Sequence, residues 1–135
     1  ESDNCIVIFP SGLVSRKKSG IIKDLEWRKT FVTKAKKHNK LIYPVYISGQ
    51  NSNRFYRIAK WRSLIGLKIN LEMFFLVDEM FKQKGNTIEI TMGKVIEPKI
   101  LDNKKNDSEW AQAIKNYVYI IPNNINFEFI ESIKK

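Results

Sequence analysis

One cysteine, one histidine and four prolines in 135 residues are few, and each scarcity closes off a class of chemistry. A single thiol, Cys5, excludes an internal disulfide, and its place in an apolar run predicts a small buried side chain rather than an activated nucleophile. With one histidine and one cysteine there is no cluster at zinc spacing, so no metal site is expected. His38 lies close to the apolar face of a predicted helix, which predicts a packed or capping side chain. No acidic residue is spaced to orient it as a base. No apolar run approaches the roughly 20 residues that span a bilayer. The acidic, polar N-terminus also differs from a signal peptide, so a soluble or peripheral domain is expected.

Acidic side chains are scarce too. Lys and Arg number 24 against 14 Asp and Glu, for a formal net charge of +10. That excess points to an anionic partner: nucleic acid, an anionic membrane surface, or phosphate-bearing substrates. Charge alone does not choose among them. A hydrophobic content of 43% and an aromatic content of 12% exclude a disordered chain, and the length suits one domain with a real core.

The most informative segment is the first. The apolar run Cys5–Phe9 reads as a buried strand that ends in Pro10-Ser11-Gly12 and breaks into Ser15-Arg16-Lys17-Lys18. A turn after a strand exposes backbone N–H groups, and adjacent cations can hold phosphate oxygens. As spacing alone this is also the pattern of a common solvated loop. The run starts within a few residues of the N-terminus, which suggests the C-terminal part of a larger domain.

Further along, Arg16 to Lys23 reads as a basic loop. Asp24 caps a predicted helix to about Asn39, with Trp27, Phe31, Val32 and Ala35 on its apolar face and Lys29, Lys36 and Lys40 opposite. Leu41–Ile47 reads as a buried strand, with Pro44 favouring an edge or a bulge. A second helix runs from about Asn53 to Ile65, with Phe55, Ile58, Ala59 and Ile65 inward and Gly66 as its stop. A third spans Leu71 to Lys84, closed by Gly85. Thr87–Met92 alternates as a half-exposed strand, and Ser108 caps a last helix to about Ile121. The tail from Ile125 is apolar enough to pack.

Most cations on these helices read as solvated faces, including Arg54, Arg57 and Lys60. Arg62 is turned to the buried side, where a structural ion pair is expected. A nucleic-acid module needs aromatics interleaved with cations on one surface. Arg54-Phe55-Tyr56-Arg57 has that look, but helical phase turns Phe55 inward, so packing explains it better.

Phe9-Pro-Ser-Gly-Leu-Val-Ser-Arg16 resembles the Phe-Pro-x-Gly block of the glycerolipid acyltransferase family, the lysophosphatidic-acid type. It is closest to the bacterial branch of hemolysin-like and amino-lipid O-acyltransferases. The resemblance continues through Ile22-Lys-Asp-Leu-Glu-Trp27, Tyr43-Pro-Val-Tyr-Ile47, Gly49-Gln-Asn-Ser52, Phe55-Tyr56, Leu76–Phe81 and Ile90–Ile96, roughly residues 5 to 98. It implies that Pro10, Ser11, Gly12, Ser15 and Arg16 line an acceptor pocket, with Lys17 and Lys18 as anion contacts and Pro44 and Val45 structural. Leu13 stands where the close branch has Glu, and Val14 where the phosphatidate-forming branch has Arg. That weakens a glycerol-phosphate acceptor and leaves a lyso-amino-lipid or another hydroxyl-bearing lipid. The family's catalytic His-x-x-x-x-Asp lies upstream of the block, and His38 is followed by Tyr43 at the required spacing. No catalytic residue is therefore assigned, and the 135 residues alone are expected to be inactive.

The resulting expectation is an α/β fold, the C-terminal part of an acyltransferase-like mixed sheet with helices packed on it and the N-terminal catalytic part missing. Residues 1–98 form that portion, and residues 99–135 a C-terminal helix and tail on the same domain. The implied reaction moves a fatty acyl group from acyl-CoA or acyl carrier protein to a lysolipid or amino-lipid hydroxyl, with no cofactor. The implied partners are the donor, the lysolipid acceptor and an anionic membrane surface, on the inner face of the cytoplasmic membrane, with no nucleic acid. A basic nucleic-acid-binding or partner-docking module is the alternative.

Overall fold

The structure is a computed structural model that describes residues 5–66, 69 and 71–133, without the side chains of residues 71 and 131. It is a mixed α/β chain, as expected. In order it forms β1 (Arg16–Lys18), β2 (Ile21–Lys23), α1 (Thr30–His38), β3 (Val45–Ile47), α2 (Asn53–Leu64), a 3-10 helix (Leu71–Phe75), α3 (Leu76–Phe81), β4 (Ile90–Met92), a 3-10 turn (Pro98–Ile100), α4 (Asp107–Val118) and α5 (Phe129–Ile133). β1 pairs with β2 and β3 with β4, giving two sheets of two strands each. The chain packs as two compact units.

The first unit comprises Glu1–Val14, Asp24–Tyr46 and Ile90–Lys135. Its core joins Phe31 and Val32 of α1 to Trp110, Ala111, Ile114, Tyr117 and Val118 of α4, with Ile96, Leu101, Ile121 and Phe129. The α1 face is the one its spacing predicts, but the helix starts at Thr30 rather than after Asp24. The reason is that residues 24–27 are held in another way. The Asp24 N–H donates to the Tyr119 hydroxyl at 2.8 Å, and Lys115 Nζ donates to the Asp24 and Leu25 carbonyls at 2.7 and 2.9 Å. Gln112 Nε2 donates to the Trp27 carbonyl at 2.8 Å. Residues 112, 115 and 119 lie on one helical face, so α4 and its cap grip the segment by side chains alone. Burial pushes the Tyr119 phenol above its ordinary value, which keeps it protonated in this role.

Asn106, not Ser108, caps α4, in a capping box with Glu109 that satisfies donors at both ends of the first turn. The tail packs as expected, because the Tyr117 hydroxyl donates to the Phe127 carbonyl at 2.8 Å while accepting from the Lys94 N–H at 3.1 Å. Gly93 lies where a Cβ would stand 3.0 Å from Ile121 Cγ2 and 3.2 Å from Pro44 Cγ, so any side chain there would require these neighbours to shift.

Other expectations for this unit are corrected as well. Cys5–Phe9 is not a buried strand: Ile6 and Phe9 are 77% and 73% exposed, and the run pairs with no described segment. β-forming side chains alone do not make a strand, which also needs a neighbour for its hydrogen bonds. Cys5 is accordingly exposed. His38 is exposed as well, at the end of α1 rather than on its packed face. The strand expected over Leu41–Ile47 is shorter and half-exposed, an Ile42–Ile96 bridge followed by β3, with Pro44 buried between them.

The second unit comprises Ser15–Lys23 and Ile47–Glu89. The basic loop expected at its start is an antiparallel hairpin, pairing Arg16 with Lys23 and Lys18 with Ile21. Ser19 and Gly20 connect the strands at φ of 50° and 81°, the left-handed pair that a tight hairpin turn requires. α2 buries Phe55, Tyr56 and Ala59 and is capped by Ser52. Ile65 is exposed, against expectation, because the helix has ended at Leu64 and Gly66 follows with φ of 72°. The third helix is shorter than expected, a 3-10 turn leading into α3 and ending at Phe81. It buries Glu72 and Glu79.

Candidate functional site

In the first unit the Phe9–Gly12 turn is closed by a Gly12 N–H to Phe9 carbonyl bond of 3.1 Å. Gly12 has φ of 63°, a left-handed conformation that glycine adopts without steric cost. The Ser11 hydroxyl donates to the Leu13 carbonyl at 2.6 Å, which locks the loop beyond the turn. The Arg28 N–H donates to the Pro10 carbonyl at 3.0 Å. Its guanidinium rests beside Gly12, since a Cβ there would lie 3.7 Å from Arg28 Cζ. Among the described residues Arg28 has no ion-pair partner. An exposed guanidinium seated on a rigid turn can take a carboxylate or phosphate through two parallel N–H donors.

Pro10, Ser11 and Gly12 are thus together in the first unit, while Ser15, Arg16, Lys17 and Lys18 belong to the second. There Arg16 Nη2 meets Glu72 Oε1 at 2.6 Å, and Arg62 Nε stands 2.9 Å from Glu72 Oε2. Glu72 is 1% exposed, so two guanidinium groups neutralise one buried carboxylate. The ion pair expected for Arg62 is present. Lys17 Nζ donates to Asn53 Oδ1 at 2.7 Å, and Lys18 is exposed. Among the helical cations expected to be solvated, Lys36 departs, pairing with Asp107 at 2.9 Å.

Glu79 is buried at the other end of the same helical segment. The Ser52 N–H and hydroxyl both donate to its carboxylate, and Lys82 Nζ pairs with it at 2.9 Å. Burial raises its pKa, but the hydrogen bonds from Ser52 and Lys82 outweigh that and hold it below the ordinary glutamate value. A depressed carboxylate stabilises the fold above its unfolded pKa, and that contribution is lost as pH falls through the folded one. Glu79→Gln is therefore expected to flatten the acid side of the stability–pH curve. Parallel curves for the two proteins, from urea midpoints between pH 2 and 7 (roughly the carboxylate range), would show that Glu79 carries no such linkage.

Arg28 and Glu72 were not legible as partners of the candidate residues. Arg28 falls on the helix predicted from Asp24, and no spacing rule links it to a turn so far back along the chain. Glu72 and Glu79, seven residues apart, share a helical face with Leu76, and that phase was the available signal. Among the described residues no group of three His, Cys, Asp or Glu side chains is arranged to hold a metal ion. No described helix is long and apolar enough to cross a membrane.

Comparison with known proteins places these features in a family. The family model described as "Acyltransferase" matches residues 1–127. The chain is 44% identical over 118 residues to the lyso-glycine lipid O-acyltransferase of Phocaeicola vulgatus, covering 87% of this chain and 42% of that protein. It is 40% identical over 119 residues to the protein of the same name from Bacteroides thetaiotaomicron, covering 88% and 44%. The chain therefore spans less than half the length of the curated relatives it matches. No solved structure matches it. The nucleic-acid alternative finds no support in these comparisons, and the match over residues 1–127, with two relatives at 40% identity or more, shows that the chain belongs to the acyltransferase family.

Proposed function

We propose that the protein carrying this chain transfers a fatty acyl group from an acyl thioester, acyl-CoA or acyl carrier protein, to the hydroxyl of a lyso-amino-lipid. The hydroxyl oxygen forms the new bond to the acyl carbon, the carbon–sulfur bond breaks, and the hydroxyl proton ends on the departing thiol. The observation that carries this reading on the acceptor side is Arg28 against the Gly12 turn. Val14 occupies the position where the phosphatidate-forming branch has an arginine, and Arg28 brings a guanidinium to the neighbouring turn from elsewhere in the chain. Such a group recognises the carboxylate of an amino-acid headgroup as well as a phosphate. The proposal gives His38 no part, since it is exposed and has Tyr43 at the fifth position after it.

The test is steady-state kinetics of the full-length protein with a lyso-glycine lipid acceptor. Arg28→Ala is expected to raise the acceptor KM by about tenfold or more, the worth of one charge-assisted hydrogen-bonding group. The KM for the acyl donor should stay unchanged and Arg28→Lys should recover part of the loss. An unaltered acceptor KM would remove Arg28 from the acceptor site.

A further inference from the structure

The segment from Leu71 to Phe81 is folded inside out. Its buried side carries Glu72 and Glu79, each at most 2% exposed. Its outer side carries Met73, Phe74, Val77, Met80 and Phe81, with Phe74 and Phe81 at 78% and 68% exposed. The phase is consistent: positions 72, 76 and 79 face in, and 73, 74, 77, 80 and 81 face out, as in one continuous helical stripe. The inward carboxylates are matched by Arg16, Arg62 and Ser52 from other elements, with Lys82 at the end of the same segment beside Glu79, so the orientation is enforced by three partners from the same unit. Turning the stripe inward would break the contacts with Arg16, Arg62 and Ser52. An apolar face of this size calls for a surface that covers it.

Charge identifies what covers it. The second unit holds eleven Lys and Arg against four Asp and Glu, which is seven of the chain's ten net positive charges. Two of those four acids are Glu72 and Glu79, turned inward and paired, and Asp78 is bound to Lys82 at 2.6 Å. Lys84 is exposed just beyond the stripe, and Arg57 and Lys60 are exposed on α2. Trp61, on α2 of this unit, is 67% exposed and is a side chain suited to a lipid–water boundary. A second copy of so cationic a unit would be repelled, whereas an anionic lipid surface satisfies both the apolar stripe and the net charge of the unit that carries it.

We propose that the Met73–Phe81 stripe is a membrane-seating face that inserts shallowly into anionic bilayers. The 3-10 turn and α3 together extend about 19 Å, enough to lie in the interface and too short to cross it. The proposal stands on this face and its charge, and does not depend on the acyl-transfer reading.

The test is sedimentation of the full-length protein with vesicles of phosphatidylglycerol in phosphatidylcholine and with phosphatidylcholine alone, at low and high salt. Binding to the anionic vesicles is expected, weakening as salt rises. The Phe74→Ser/Phe81→Ser double variant should lower the partition coefficient by about tenfold or more, from the loss of two inserted rings. Ile125→Ser, an exposed site in the first unit, should leave it unchanged. Unfolding midpoints measured alongside establish that each variant is folded. Equal binding by the double variant would overturn the proposal, as would no binding to anionic vesicles by the parent protein. So would a dimer that the double variant dissociates while vesicle binding persists, which would assign the stripe to a second copy.

Discussion

Glu72→Ala is expected to destabilise the fold by about 3–5 kcal/mol, the range for removing one partner of a buried ion pair. Glu72 is almost wholly buried, and both its oxygens face guanidinium groups that are themselves largely shielded. Alanine would leave Arg16 and Arg62 facing each other without the carboxylate that neutralises them. Glu72→Gln keeps one oxygen acceptor and should cost less. Glu72→Leu combined with Arg62→Met should recover part of the loss, because the penalty lies in the unmatched charge rather than in the missing attraction. Urea denaturation followed by circular dichroism measures all three. A cost for Glu72→Ala below about 1 kcal/mol, the level of an exposed surface pair, would mean that the cluster is hydrated and not a buried one.

Trp110→Ala should be comparably severe, about 3–5 kcal/mol, the range for deleting a large aromatic side chain from a packed core. Trp110 lies on the inner face of α4, packs its ring 6.1 Å from that of Phe129, and donates its indole N–H to the Asp102 carbonyl at 2.9 Å. Alanine removes the packing and leaves that carbonyl without its donor. Trp110→Phe retains much of the apolar volume and should cost roughly half as much. Trp61→Ala, at an exposed position, is the matched control and should fall within about 0.5 kcal/mol of the parent. Similar losses at residues 61 and 110 would contradict the core described for the first unit.

The elements that were legible in the sequence are those whose packing is local and periodic. Phe31, Val32 and Ala35 on α1, and the start of α2 at Asn53, follow from helical spacing. The inward turn of Arg62 follows from the same geometry. The elements that misled depend on partners far away in the chain. Cys5–Phe9 has the composition of a strand but no ladder, and the opposite holds for Arg16–Lys23, whose cations pair as a hairpin because Ser19 and Gly20 accept left-handed backbone. Asp24 resembles a helix cap, yet its backbone N–H is bound to a tyrosine 95 residues later. Within the candidate site the turn glycine was readable from Pro-Ser-Gly, whereas Arg28 and Glu72 reach their places only through the tertiary fold.

The grip of α4 on residues 24–27 carries a consequence for how the first unit opens. The amides of Asp24 and Trp27 are protected by the side chains of Tyr119 and Gln112, not by a strand or a helix of their own. Their solvent exchange is therefore governed by the lifting of α4, not by fraying of the loop in which they lie. Arg28 follows directly in the chain and its own N–H is tied to Pro10. Any event that loosens α4 thus reaches the Gly12 turn through a few covalent bonds, and that turn inherits the rigidity of a helix whose Gln112 lies 85 residues downstream of Trp27.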